Sequence, residues 1–234
     1  LLQRQLGDRA ASRKTAERVR DAGVVHELAA ALLLDQELDV ASRLTKIPDG
    51  ERCAATSLAA LLSDLGRAEV ALTVVQTILD RSPDCASAWE RALHLRLDGG
   101  QKPEALALAR QVITRFPEDD GLLQLAATAL SASEVYREAA PILEGVARRN
   151  PDQEGVIRVL LSTVLRDPAF RAEKTAEYAR RHAAAPDDQL VTFLFGVVKH
   201  YANDFEASTA LLRQVEEPLD HLGRLHIYLA MNDF

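Results

Sequence analysis

The side chains readiest for metal binding or nucleophilic catalysis are six histidines and two cysteines: His26, His94, His182, His200, His221, His226, Cys53 and Cys85. Such chemistry needs spacings that make the groups converge, as when HExxH sets two imidazoles on one helix face or CxxC pairs two thiolates. Here the closest histidines, His221 and His226, stand five residues apart, which sends them to different sides of a helix. The chain contains no GxGxxG, GxxxxGK[ST], GxSxG, HExxH or CxxC, so nucleotide-binding, hydrolase and zinc readings lack their minimum sequence. The expectation is therefore no catalytic residue, no metal and no cofactor. The histidines read as surface or packing side chains. Cys53 and Cys85 read as small packing residues rather than a redox pair.

The elements that would position any site follow from an internal repeat. Pro83, Pro117 and Pro151 lie 34 residues apart, and Ala71, Ala105 and Ala139 each stand twelve residues before one of them. A proline ends a helix, and an alanine lets two helices approach closely. A 34-residue unit that carries both at fixed places is one helix–turn–helix hairpin, and such hairpins must stack to bury their apolar faces.

The second unit has Trp89 near the start of its first helix, Asp98-Gly99-Gly100 as the turn, Pro103-Glu104-Ala105 opening the second helix, and Pro117 closing it. The first supplies Leu58, Leu62, Gly66, Ala71, Val75, Ile78 and Pro83. The third supplies Leu123, Leu130, Ala139, Leu143, Val146 and Pro151. On these residues the chain resembles the tetratricopeptide repeat (TPR) family. It departs from the family pattern at Ala59, Leu93 and Ala127, where the first-helix glycine is expected, and at Glu134, which replaces a turn glycine. The resemblance implies an all-α, right-handed superhelical solenoid of antiparallel hairpins, with about five repeats and a terminal half repeat. It also implies a groove lined by the first helices.

Along the chain, residues 1–21 are expected to form a basic N-terminal helix. Six basic residues face three acidic ones there, giving +3 against −10 for the rest of a chain whose total is −7. A TPR-like solenoid is expected over 22–234: an atypical unit at 22–50, repeats at 51–84, 85–119, 120–153, 154–187 and 188–218, and a half unit at 219–234. Asp35 is placed to cap a helix of the atypical unit. In the fourth repeat Asp167-Pro168 is expected to interrupt the hairpin, so that the second helix begins near Ala172. Pro141 is expected to delay or kink its helix. Gly196 takes the close-approach position of the fifth repeat, and Asn203-Asp204-Phe205 makes its turn. The same text, Asn232-Asp233-Phe234, ends the chain and is read as a truncation point.

The acidic balance, with a sequence pI near 5.4, argues against a general nucleic-acid surface, which needs clustered positive charge. No run of 18 or more apolar residues is present, so no membrane-spanning helix is expected. An alanine- and arginine-rich, lysine-poor text points to a bacterial source. The expected compartment is cytoplasmic, or periplasmic if a signal segment precedes Leu1.

Helical spacing sets one polar stripe on the first helices, comprising Thr56, then Glu90 and His94, then Gln124 and Thr128, then Arg158 and Ser162, then Phe193 and Val197. This stripe is the expected partner-binding groove. Its character passes from mildly acidic through neutral to basic and then apolar, which suits an extended or helical segment bound in one direction. The cation ring with which chaperone-binding TPR members grip a C-terminal carboxylate is replaced here by Thr56, Ala60, Glu90 and His94. The expected function is a protein–protein interaction scaffold with no catalysis of its own. The alternative is a substrate-recruiting module of a larger bacterial enzyme, such as an O-linked glycosyltransferase, whose catalytic domain lies outside this chain.

Overall fold

The structure, a computed structural model, describes residues 47–48 and 52–215. The expected basic helix, the Asp35 cap, the atypical unit and the half unit lie outside the described residues. Among those described the chain is helical, with a 3-10 turn at Cys53–Ala55 and ten α-helices. These are α1 (Thr56–Asp64), α2 (Ala68–Arg81), α3 (Ala86–Asp98), α4 (Lys102–Arg115), α5 (Asp120–Ala132), α6 (Tyr136–Arg149), α7 (Glu154–Arg166), α8 (Pro168–Ala184), α9 (Gln189–His200) and α10 (Phe205–Leu212). They divide between two compact units, one ending at Phe116 and one beginning at Pro117.

In the first unit α1 packs on α2, α2 on α3 and α3 on α4, and α1 also lies against α3. The turns that produce these hairpins repeat in detail. After α1 the backbone N–H of Arg67 donates to the carbonyl of Leu62 at 2.8 Å. After α3 the N–H of Gln101 donates to Arg96 at 2.9 Å. Each bond closes around a glycine in the left-handed region, Gly66 (φ 74°) and Gly100 (φ 67°), a conformation glycine adopts without Cβ strain. Ala71 and Ala105 are fully buried at the predicted contact positions, and Leu58, Leu62, Val75 and Leu93 are buried with them in the core of this unit. Burying each leucine contributes about 1.5–3 kcal/mol.

The second unit keeps the scheme, with each helix packed on the next and α5 also touching α7. Its first turn is closed by Val135 N–H to Leu130 at 2.9 Å and its last by Asp204 N–H to Lys199 at 3.0 Å. The left-handed position falls to Glu134 (φ 65°) and Asn203 (φ 61°). Gly196 is the predicted close approach: a Cβ there would stand 2.6 Å from Leu212 Cδ2.

The hairpin between α7 and α8 differs from expectation. Counting 34 residues from Glu134 arrives at Pro168, whose ring forbids positive φ, so the left-handed turn cannot form there. Instead Asp167 alone connects the helices. Its carboxylate accepts from Phe170 N–H at 2.6 Å, and Pro168 takes the first helical position, which needs no N–H donor. The second helix therefore starts at Pro168 rather than near Ala172, and α8 reaches 17 residues where α2, α4 and α6 have 14. Pro141 does not delay α6, which starts at Tyr136 because the Val135 turn fixes its entry.

Candidate functional site

In the first unit Thr56, Glu90 and His94 come from α1 and α3. Thr56 is half-buried; its hydroxyl donates to the Cys53 carbonyl at 2.8 Å and lies 3.4 Å from Ser87 Oγ, linking the two first helices. Glu90 is exposed, with His94 Nε2 4.0 Å away one turn on. Trp89, which precedes Glu90 on α3, is buried as a packing residue. Its indole N–H donates to the Pro83 carbonyl at 2.7 Å, and its ring meets Phe116 edge-on.

In the second unit Gln124 and Thr128 are half-buried on α5, while Arg158 and Ser162 are exposed on α7. The Gln124 side chain comes within 3.7 Å of where a Cβ on Gly155 would stand, so the two helices approach closely at that point. A buried hydrogen bond, Thr163 Oγ1 to Ser131 Oγ at 3.0 Å, holds them further along. Arg158 and Arg166 have neither an ion pair nor a side-chain hydrogen bond among the described residues, whereas the second-helix arginines Arg137, Arg148, Arg149 and Arg181 all meet acids.

Phe193 and Val197 depart from the expected groove. Both are fully buried. The α9 sequence is apolar nearly all round, from Leu190 to Val198, and a helix of that kind buries every face. Exposed apolar side chains lie instead at the α9–α10 turn, on Tyr201 and Phe205.

The cysteines also depart from the reading as separate packing residues. Cys53 and Cys85 are joined in a disulfide with Cα atoms 5.7 Å apart, so no free cysteine is left. The bond ties the 3-10 turn before α1 to the residue that precedes α3.

Sequence reasoning missed a buried ionic network between α6 and α8. Glu144 accepts from Tyr178 Oη at 2.9 Å and from Arg181 Nη1 at 2.6 Å, and lies 2.8 Å from Lys174 Nζ. Glu177 also reaches Lys174 and Arg181, each at 2.9 Å. Burial pushes the Glu144 carboxyl up, but hydrogen bonds from Lys174 and Arg181 outweigh it and hold the group below its usual value. Burial and the neighbouring Glu144 charge push the Tyr178 hydroxyl far up. Glu144 thus stays ionised and Tyr178 protonated near neutrality, and neither is poised to exchange a proton there. The network borders a cleft of about 400 Å³ whose cations are matched by acids. Two sequence signals pointed to it: Glu144 and Tyr178 stand one period apart, and Lys174, Glu177 and Arg181 share a helix face.

Among the described residues no group of three His, Cys, Asp or Glu side chains is arranged to hold a metal ion, and no helix is long and apolar enough to cross a membrane. No family model matches the sequence, and no curated protein matches it. Among solved structures the chain is similar to YrrB, described as a TPR protein with an unusual peptide-binding site. Identity is 17% and the TM-score 0.47, over 76% of this chain and 89% of that one. It is also similar to TTC0263, a thermophilic TPR protein of Thermus thermophilus, at 17% identity and TM-score 0.43, over 79% of this chain and 98% of that one. On its own geometry, with consecutive helix hairpins at a 34-residue period and buried alanines at the predicted positions, the described chain has an all-helical, TPR-like fold.

Proposed function

We propose that this chain is a protein-interaction scaffold without catalytic chemistry of its own, whose first-helix faces take segments of a partner protein. The observation that carries the reading is the state of α7. Arg158 and Arg166 are exposed cations without an acidic partner among the described residues, on the stripe that also holds Ser162 and adjoins Gln124 and Thr128 on α5. Eight residues of helix set the two guanidinium groups about 12 Å apart along the axis. A segment bearing two or more carboxylates, with a backbone carbonyl for the Gln124 amide, matches that face; the Thr128 and Ser162 hydroxyls already donate to carbonyls of their own helices. On the first unit Glu90, Asp64 and Asp98 give the stripe the opposite sign, which suits basic side chains. Exposed charges of this kind govern orientation and association rate more than affinity, so binding should weaken as salt rises.

The test is fluorescence anisotropy of labelled acidic peptides against the chain and against Arg158→Glu/Arg166→Glu. The reading expects salt-sensitive binding that the double variant weakens by about tenfold or more, equivalent to about 1.4 kcal/mol, while Glu90→Ala leaves acidic peptides unaffected. Acidic peptides that ignore the chain, or that bind both forms alike, would refute this assignment of the α7 face.

A further inference from the structure

We propose that the Cys53–Cys85 disulfide is a directional thiol-exchange site, entered by external thiols at Cys53 and released at Cys85. Three observations carry this. The two ends of the bond differ in access: Cys53 is exposed at the start of its 3-10 turn, whereas Cys85 is 3% exposed. An attacking thiolate therefore has freer access from the Cys53 side of the bond, which makes Cys85 the leaving group.

Cys85 also occupies the position that caps α3, a helix of 13 residues, and its sulfur makes no capping hydrogen bond while it is held in the disulfide. A thiolate released there meets the positive end of the helix. The Ser87 hydroxyl, 3.4 Å from the Cys85 sulfur, is a further donor within reach. Finally, the bond sits beside the contact between Thr56 and Ser87, where the two first helices of the first unit meet. Opening it removes the covalent tie between those helices and leaves them held by packing and by the Thr56–Ser87 hydrogen bond.

The exchange balances with a thiol reductant, either a small thiol such as glutathione or a dithiol protein. The incoming thiolate forms a mixed disulfide with Cys53 as the Cys53–Cys85 bond breaks, and Cys85 departs as the thiolate and takes up a proton. A second thiolate then attacks the mixed disulfide at the reductant's sulfur and releases Cys53. Two protein thiols are gained, and the reductant leaves as its disulfide.

The oxidised chain is treated with reduced glutathione, quenched in acid, and its adducts located by peptide mass spectrometry. Attack follows access, so adducts at Cys53 should exceed those at Cys85 by about tenfold or more. Adducts shared equally, or favouring Cys85, would overturn the proposed direction. Complete reduction by a phosphine should lower the Tm by about 5–15 °C, because the bond closes a loop with a separation of 32 residues. It should leave Cys53→Ser/Cys85→Ser unmoved. A wild-type chain that takes up two alkyl groups after purification in air, or whose Tm ignores the reductant, would overturn the proposal outright.

Discussion

Replacing Glu144 with glutamine tests whether the buried network holds the second unit together. The carboxylate is 8% exposed and faces Lys174, which is 6% exposed, together with Arg181 and Tyr178. Glutamine keeps the shape but removes the charge and turns an amide donor towards a cation. Removing one partner of a buried ion pair costs about 3–5 kcal/mol, because the remaining charge stays desolvated. Glu177 stays 2.9 Å from both Lys174 and Arg181, so neither cation is abandoned. That residual pairing is about one-third exposed and contributes only about 0–1 kcal/mol. The expected loss is therefore about 2–4 kcal/mol.

Urea denaturation followed by far-UV circular dichroism is the assay, since the single tryptophan, Trp89, reports only the first unit. A loss below about 1 kcal/mol would show that desolvation and pairing nearly cancel, and would refute the stabilising role. The pH dependence is an independent arm. Because the folded Glu144 is held below its usual value, its contribution is complete above the unfolded value and is lost as pH falls through the folded one. Below about pH 4.5 the wild-type chain should lose stability more steeply than Glu144→Gln, which keeps only the acid dependence of Asp120, Asp188 and Asp204.

Two further substitutions test the turns and the close contacts. Glu134→Gly should stabilise the second unit by about 0.5–1 kcal/mol, the relief of left-handed strain exceeding the added unfolded-state entropy. A denaturation midpoint that falls would contradict the positive φ of 65°. Gly196→Ala should cost about 1–3 kcal/mol, because the added methyl meets Leu212 at 2.6 Å and forces α9 and α10 apart. An unchanged Tm would show that Leu212 can turn away.

The periodic part of this fold could be read directly from the residue order. Ala71, Ala105 and Ala139 recur because only a small side chain fits where helices touch, and Gly196 fills the same need in the fifth repeat. The expected polar first-helix stripe has Thr56, Glu90, His94, Gln124, Thr128, Arg158 and Ser162 outside the core. It failed at Phe193 and Val197, where counting continued the stripe although the apolar run of α9 already signalled burial on every side. Glu144 was hidden for a different reason: it interrupts an apolar face, and its partners lie 30 or more residues away on another helix. The cysteines stand close to one period apart, but whether two sulfurs meet depends on how one hairpin is rotated on the next, which no spacing specifies.

The single-residue connection at Asp167 bears on how such a chain can change length. Three residues join α1 to α2, α3 to α4 and α5 to α6, and the helix that follows each time has 14. Where the connection shrinks to one residue, the next helix begins earlier and reaches 17, so α9 still starts only one residue later than strict periodicity requires. Turn and helix exchange residues while the stacking interval is kept. A deletion in one of these turns should therefore be absorbed as an extra fraction of a helical turn next door, whereas the same deletion inside a first helix would rotate its buried face away from its neighbour by about 100° for every residue lost.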